Sequence, residues 1–160
     1  MIRSFIPADT VQICEIYNHY VEHTIVTFEE MPVTTAEMER RIREVTMQWP
    51  WLVCEECGSV VGYAYAAPWK ARSAYRFAVE STVYLAAGQK GRGFGAALYR
   101  RLIEDLAARG AHCVIGGVSL PNAASIALHE KLGFQKIGQF SEVGRKFGHW
   151  VDVGYWELML

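Results

Sequence analysis

VESTVYLAAGQKGRGFGAALYRRLIEDLAARG, Val79–Gly110, passes through three textures in turn. Alternation and β-branching over Phe77–Leu85 predict a strand. Gly91, Gly93 and Gly95, separated by Arg92 and Phe94, predict a tight turn whose backbone a ligand can approach closely. Phe94, Leu98, Leu102 and Leu106 then fall on one face of a helix from about Gly93 to Arg109, stopped by Gly110. The first-turn N–H groups of such a helix have no intrahelical partner and stand at the positive end of its macrodipole. Strand, glycine turn and helix together make an anion site, suited to a phosphate or pyrophosphate.

Three kinds of phosphate loop compete for this turn. A Walker-type loop needs G-x-x-x-x-G-K-[ST], a string the chain lacks. Gly91–Ala96 satisfies G-x-G-x-x-[GA], but a dinucleotide fold needs an acid near the end of the next strand. That strand, AHCVIGGVSL over Ala111–Leu120, has none. The dinucleotide reading loses.

Length and composition frame the rest. At 160 residues, 51% apolar and 21% charged, the chain is one globular domain with a real core. A net charge of −1 removes any case for a nucleic-acid or anionic-membrane partner. No apolar run approaches the ~20 residues of a membrane helix, and Met1–Thr10 is no signal peptide, so a cytoplasmic protein is expected. Cys54 and Cys57 spell C-x-x-C, yet zinc would want two more ligands at metal spacing, and neither Cys14 nor Cys113 has a partner nearby. A redox pair would open a helix, whereas Cys57-Gly58-Ser59 reads as a hairpin turn. The cysteines are read as plain thiols, and no metal is expected.

Moving outward from the central stretch, Ile2–Ile6 predicts a short strand. Asp9 predicts the N-cap of a helix striped with Ile13, Cys14, Ile16, Tyr17 and Tyr20 that fades near His23. Thr34-Thr35-Ala36-Glu37 matches a capping box, opening a helix through about Gln48. Trp51–Glu56 and Val60–Ala67 predict a hairpin. Ala111–Leu120, apolar throughout, predicts a strand buried on both faces. Pro121-Asn122 opens a shorter helix ended by Gly133, and Phe134–Phe140 and Trp150–Leu160 are the last strands. The whole is one α/β domain over residues 1–160. Two loops stand out. Thr24–Pro32 mixes aromatic and acidic residues, as a site-lining loop or as a plain connection with Phe28 buried. Pro68–Arg76 brings Lys70, Arg72 and Arg76 together with Trp69 and Tyr75, directly before the strand that holds Glu80.

Lys90–Gly95 resembles the R/Q-x-x-G-x-G/A turn of the GNAT superfamily of N-acetyltransferases, which holds the pyrophosphate of acetyl-CoA. Asn122–Phe134, NAASIALHEKLGF, resembles that superfamily's second signature, N-x-x-S/A…L-Y-x-K-x-G-F, at the expected separation. More closely, Ile16-Tyr17-Asn18, Thr27-Phe28-Glu29, Pro68–Arg72, Val79–Tyr84 and Phe147–Gly154 are similar to the phosphinothricin acetyltransferase family, which includes enzymes acting on methionine sulfone and sulfoximine. The likeness runs from the first helix to the last strand. It implies a GNAT fold with a mixed, mostly antiparallel sheet of about seven strands and about four helices. It also implies acetyl-CoA as co-substrate, a small amino acid analogue as acceptor, and a homodimer.

What the resemblance implies residue by residue follows from acyl-transfer chemistry. An α-amine is partly protonated at neutral pH, so a base beside it helps, and Glu80 is the candidate. The backbone of Val83-Tyr84-Leu85 would pair with the pantetheine arm, and an N–H there would serve the oxyanion. Gly91, Arg92, Gly93, Phe94, Gly95 and Ala96 would hold the pyrophosphate, with Asn122 on the pantetheine and Lys131 from the same signature. An acceptor carrying an α-carboxylate and a second polar head suits a planar, two-toothed donor. Lys70, Ala71, Arg72 and Arg76 are therefore expected on the substrate side, with Phe28 and Tyr75 as walls and Glu29 as an amine contact. His129 stands where many members carry a tyrosine that protonates the departing thiolate; it is either that acid or a packing residue. Acetylation of a peptide or protein amine, and a CoA-binding module without turnover, are the alternatives.

Overall fold

The computed structural model describes residues 1–160. In chain order it contains β1 (Ile2–Ser4), α1 (Thr10–His23), α2 (Thr35–Thr46), β2 (Trp51–Glu56), β3 (Ser59–Pro68), β4 (Ala78–Leu85), α3 (Phe94–Ala108), β5 (Cys113–Leu120), α4 (Ala123–Lys131), β6 (Gln135–Lys146) and β7 (His149–Met159). Apolar spacing places the helices. In α1, Ile13, Ile16, Tyr17, Tyr20 and Val21 are buried together, one stripe at helical period. In α2 the Glu37 N–H donates to the Thr34 hydroxyl at 3.2 Å, the N-cap half of the expected box.

The seven strands form one sheet in the order β1-β2-β3-β4-β5-β7-β6. Only β4 and β5 run parallel; every other neighbouring pair is antiparallel. Helices α1 and α2 cover one face, packing Ile13, Met38 and Ile42 against Trp51, Val53 and Tyr63. On the other face α3 buries Leu98, Tyr99, Leu102 and Leu106 against Val79, Val114 and Trp156, with Ile126 and Leu128 of α4 beside them.

One irregularity organises the molecule. β4 pairs with β5 only over Ala78–Glu80 against Cys113–Ile115. Its other edge stays paired with β3 as far as Leu85, while β5 continues along β7 to Leu120. The two strands therefore part after Glu80, and residues 81–85 present a backbone edge without a strand partner inside the sheet, where the Leu85 carbonyl accepts the Tyr20 hydroxyl at 2.8 Å. Side chains alternate across this fork. Val83 and Leu85 point to the α3/α4 face, and Tyr84 to the α1/α2 face.

Two local expectations change. Asp9 caps no N–H of α1. Its buried carboxylate accepts the Ile6 N–H at 2.9 Å and two bonds from Arg3, at 2.7 and 2.8 Å. A guanidinium fork is the stronger partner, and it pulls the acid off the helix end. Strand β6 passes Phe140 and continues to Lys146. Its register slips between Phe140 and Gly144, with Glu142 in the left-handed region at φ 51°. The slip breaks the alternation that marks a strand in sequence.

Candidate active site

Where β4 leaves β5 the sheet opens into a cleft of two joined compartments. One, of about 420 Å³, lies along the glycine turn and the start of α4. The other, of about 310 Å³, lies at the fork itself. Val26, Val83, Ser125 and Leu128 line both, so the two form one continuous space.

The larger compartment is built to take an anion. Gly91 and Gly93 adopt φ of 79° and 87°, which a side chain would strain, and Gly93 is the N-cap of α3. Gly95 and Ala96, in the first turn of α3, line the space together with Lys90 and Lys131. Unpaired N–H groups, the positive end of a helix and two ammonium groups thus converge. Asn122 caps α4 by accepting the Ser125 N–H at 3.1 Å and also lines this wall.

The smaller compartment receives side chains from both faces of the sheet. From the α1/α2 face comes Glu80, the last residue of β4 paired to β5. Burial pushes its carboxyl above the usual 4.5, with Lys70 pulling the other way. Room for it depends on Gly117 of β5: a Cβ there would lie 3.1 Å from Glu80 Oε1 and 3.3 Å from Tyr155. From the α3/α4 face comes His129, fully buried beside Gly116, where a Cβ would lie 2.3 Å from Nε2. Successive glycines thus clear space on opposite faces.

A polar chain fixes the histidine. Nδ1 lies 2.7 Å from the Ser125 carbonyl, which only accepts, so Nδ1 carries the proton. Burial lowers the pKa of the ring and keeps it neutral, although the Ser125 carbonyl opposes this. Nε2 therefore accepts the Tyr99 hydroxyl at 3.0 Å, and Tyr99 is within 2.5 Å of Ser81 Oγ. Tyr99, Ser81, Ser125 and Tyr155 all line the compartment. None was expected from the sequence. The available signal was a tyrosine on the buried stripe of α3, four residues after Gly95.

A cleft with an anion cradle at one end and a half-buried carboxylate at the other fits group transfer from a phosphate-bearing carrier. An acetyltransferase (GNAT) domain model matches residues 2–154. The chain belongs to the GNAT acetyltransferase family. Its class is acetyl-CoA-dependent N-acetyl transfer. Among GNAT relatives, a phosphinothricin N-acetyltransferase of Streptomyces viridochromogenes is 42% identical over 156 residues, covering 98% of this chain and 85% of the relative. An L-methionine sulfoximine/L-methionine sulfone acetyltransferase of Salmonella typhimurium is 39% identical, covering 99% and 94%. The crystal structure of a phosphinothricin acetyltransferase from Sinorhizobium meliloti in complex with AcCoA superposes with a TM-score of 0.97 at 37% identity, covering 100% of this chain and 88% of that one.

On this GNAT framework the expected donor-side residues largely gather. Val83, Leu85, Gly91, Gly93, Gly95, Ala96, Asn122 and Lys131 line the larger compartment, and Tyr84 lines the smaller. Arg92 turns away to Glu56, at 2.7 and 2.9 Å, with its guanidinium over the Phe94 ring. Neither lines the cleft. On the acceptor side Phe28 and Glu80 line the cavity. Lys70, Ala71, Arg72, Tyr75 and Arg76 sit on the exposed loop after β3, outside the lining. Lys70 lies over Trp69, which meets Tyr155 edge-on, so the loop touches the site through aromatic contacts. Glu29 is not in the lining either. Arg41 grips it at 2.7 and 2.9 Å and Tyr17 donates to it, which holds its carboxyl below the usual range despite partial burial.

Proposed function

We propose that this enzyme moves the acetyl group of acetyl-CoA directly onto the α-amine of a small amino acid analogue, of the phosphinothricin, methionine sulfone or methionine sulfoximine type. The observation that carries the reading is the fork after Glu80. A donor enters from the glycine turn along the free edge of residues 81–85, while an acceptor meets Glu80 from the other face. The names of the two curated relatives support the acceptor class.

Glu80 is the base: it takes the proton of the acceptor ammonium, directly or through water, and its raised pKa brings it nearer to neutral working pH. The neutral amine attacks the thioester carbon, an N–H of the 83–85 edge meets the oxyanion, and collapse expels CoA as the thiolate. His129 Nε2 is a lone pair in the neutral ring. Its acid role needs a second proton, so protonation of the thiolate by solvent is the simpler route. Lys70, Arg72 and Arg76, on the exposed loop after β3, provide the cations for the acceptor's carboxylate and head group. No cysteine lines the cleft, which favours direct transfer over an acetyl-cysteine intermediate.

The enzyme is further proposed to act in the cytoplasm and as a homodimer. Phe140, Val143, Phe147 and Trp150 are exposed on β6 and its hairpin, at the edge of the sheet, and this apolar surface suits a second copy. Sedimentation tests the dimer. Thiol release from acetyl-CoA, measured with phosphinothricin, methionine sulfone, methionine sulfoximine, free amino acids and peptides, tests the reaction. Turnover of peptides alone, or of nothing despite tight CoA binding, would refute the acceptor assignment.

A further inference from the structure

Lys146, the last residue of β6, is 1% exposed. No carboxylate pairs with it. Its ammonium donates instead to the Thr27 carbonyl at 2.7 Å and reaches the Tyr20 carbonyl at 3.5 Å. Burying a cation outside an ion pair is costly; burial lowers the Lys146 pKa, the charges of Glu30 and Glu29 oppose this from beyond ion-pair range, and the site must supply the rest. Tyr20 lies in the last turn of α1, where the helix dipole is negative, and the Phe147 ring lies 5.1 Å from Nζ. Two carbonyls, a helix C-terminus and an aromatic face replace the missing acid.

The consequence concerns the segment Thr24–Pro32, which has no regular secondary structure. It carries Val26, Thr27 and Phe28 into the wall of the smaller compartment. Tyr17 holds it from below, 3.0 Å from the Thr27 hydroxyl, and Arg41 holds Glu29. On the outer side it meets Lys146 and Gly144. The Phe28 ring lies so close to Gly144 that a Cβ there would be 2.2 Å from it. The slip in β6 between Phe140 and Gly144 precedes both residues, and Asp152 braces it by accepting the Glu142 N–H at 2.8 Å. The two ends of the chain thus meet over the cleft through one ammonium and one ring.

We propose that Lys146 is a positioning residue that ties the Thr24–Pro32 strap to the β6–β7 hairpin, and so sets the wall of Thr27 and Phe28 against which the acceptor packs. This rests on the acceptor occupying the fork compartment. The donor compartment, walled by the glycine turn and α4, lies outside the strap's grip except at Val26.

The test uses the full chain with Lys146→Met and, independently, Gly144→Ala, which displaces Phe28 without touching the ammonium. Lys146→Met is expected to raise the acceptor KM about tenfold or more, the worth of one charge-assisted hydrogen bond, with the acetyl-CoA KM within about twofold. Gly144→Ala should give the same split. Hydrogen exchange of amides 26–29 should accelerate in Lys146→Met. An unchanged acceptor KM, or equal rises in both KM values, overturns the proposal. If the wild-type enzyme turns over no small amine, the assigned reaction fails, and the exchange measurement alone then decides the tie: unchanged protection of 26–29 refutes it and lost protection supports it.

Discussion

Substituting Gly116 by alanine probes the packing that holds His129. The added Cβ would stand 2.3 Å from Nε2 and 2.6 Å from Cδ2. Comfortable contact begins at about 3.5 Å, so the ring must retreat by roughly 1 Å. Nε2 now lies 3.0 Å from the Tyr99 hydroxyl, and that retreat takes it out of bonding range. Overpacking costs about 1–3 kcal/mol. A buried hydroxyl left short of its acceptor costs about 1–3 kcal/mol more. The sum is about 2–6 kcal/mol, and a domain of this size loses roughly 2–4 °C of Tm per kcal/mol. Gly116→Ala should therefore melt roughly 4–24 °C below wild type in a calorimetric scan. Gly117→Ala is the internal comparison. Its Cβ would meet the flexible end of Glu80 at 3.1 Å, so it should cost less stability and act chiefly on the pH profile. A Gly116→Ala variant melting within about 2 °C of wild type, or one more stable than Gly117→Ala, would refute this account of the paired glycines.

Glu80→Gln should lower kcat by about 10²–10⁴ while calorimetry shows acetyl-CoA binding intact. Wild-type kcat/KM should fall as pH drops through a value above 4.5, because burial raises Glu80 against the pull of Lys70, and the variant should lack that limb. The same shift affects stability. The folded state binds this proton more tightly than the unfolded chain does, so wild type loses stability as pH rises from 4.5 through the raised value. Glu80→Gln should accordingly gain Tm relative to wild type on going from acid to neutral pH, and a gap opening the other way would count against a buried carboxylate. Asp9→Asn should cost about 2–4 kcal/mol by urea titration, since it breaks a largely buried guanidinium pair. Burial alone would raise the Asp9 carboxyl, but Arg3 and the Ile6 N–H together hold it below 3.8. Wild type should therefore lose this contribution as pH falls through that depressed value, and the variant should show a correspondingly smaller acid loss. Asn122→Ala should cost about 1 kcal/mol of stability as a lost helix cap and weaken CoA binding in the same titration format.

The helices and inner strands were legible in the sequence because their signals are local. Apolar spacing fixed the buried face of α1, Thr34 and Glu37 marked the start of α2, and unbroken apolarity identified β5. The compartment along the glycine turn was legible for the same reason, since Gly91, Gly93, Gly95, Ala96 and Asn122 line it through turns and caps built within a few residues. The acceptor side was less so. Glu29 looked like a free acid until α2 brought Arg41 against it, a partner 12 residues away. Tyr99 drew no attention in the sequence, because its partner His129 lies 30 residues on. Lys146 carries no signal of its own in the sequence. Its burial depends on the slip in β6 and on a carbonyl 119 residues earlier. Long-range polar pairing leaves no periodicity for a sequence reading to find.

The parting of β4 from β5 makes substrate and scaffold hard to separate thermodynamically. Residues 81–85 have a strand partner on one side only, and a donor lying along them as proposed would supply further partners to the folded chain alone. Such a ligand stabilises by mass action, adding about 2.7 kcal/mol at one hundred times its dissociation constant. The melting temperature then becomes a gauge of donor supply: a cell that runs short of acetyl-CoA and CoA together would hold a measurably softer protein, more open to proteolysis at the fork.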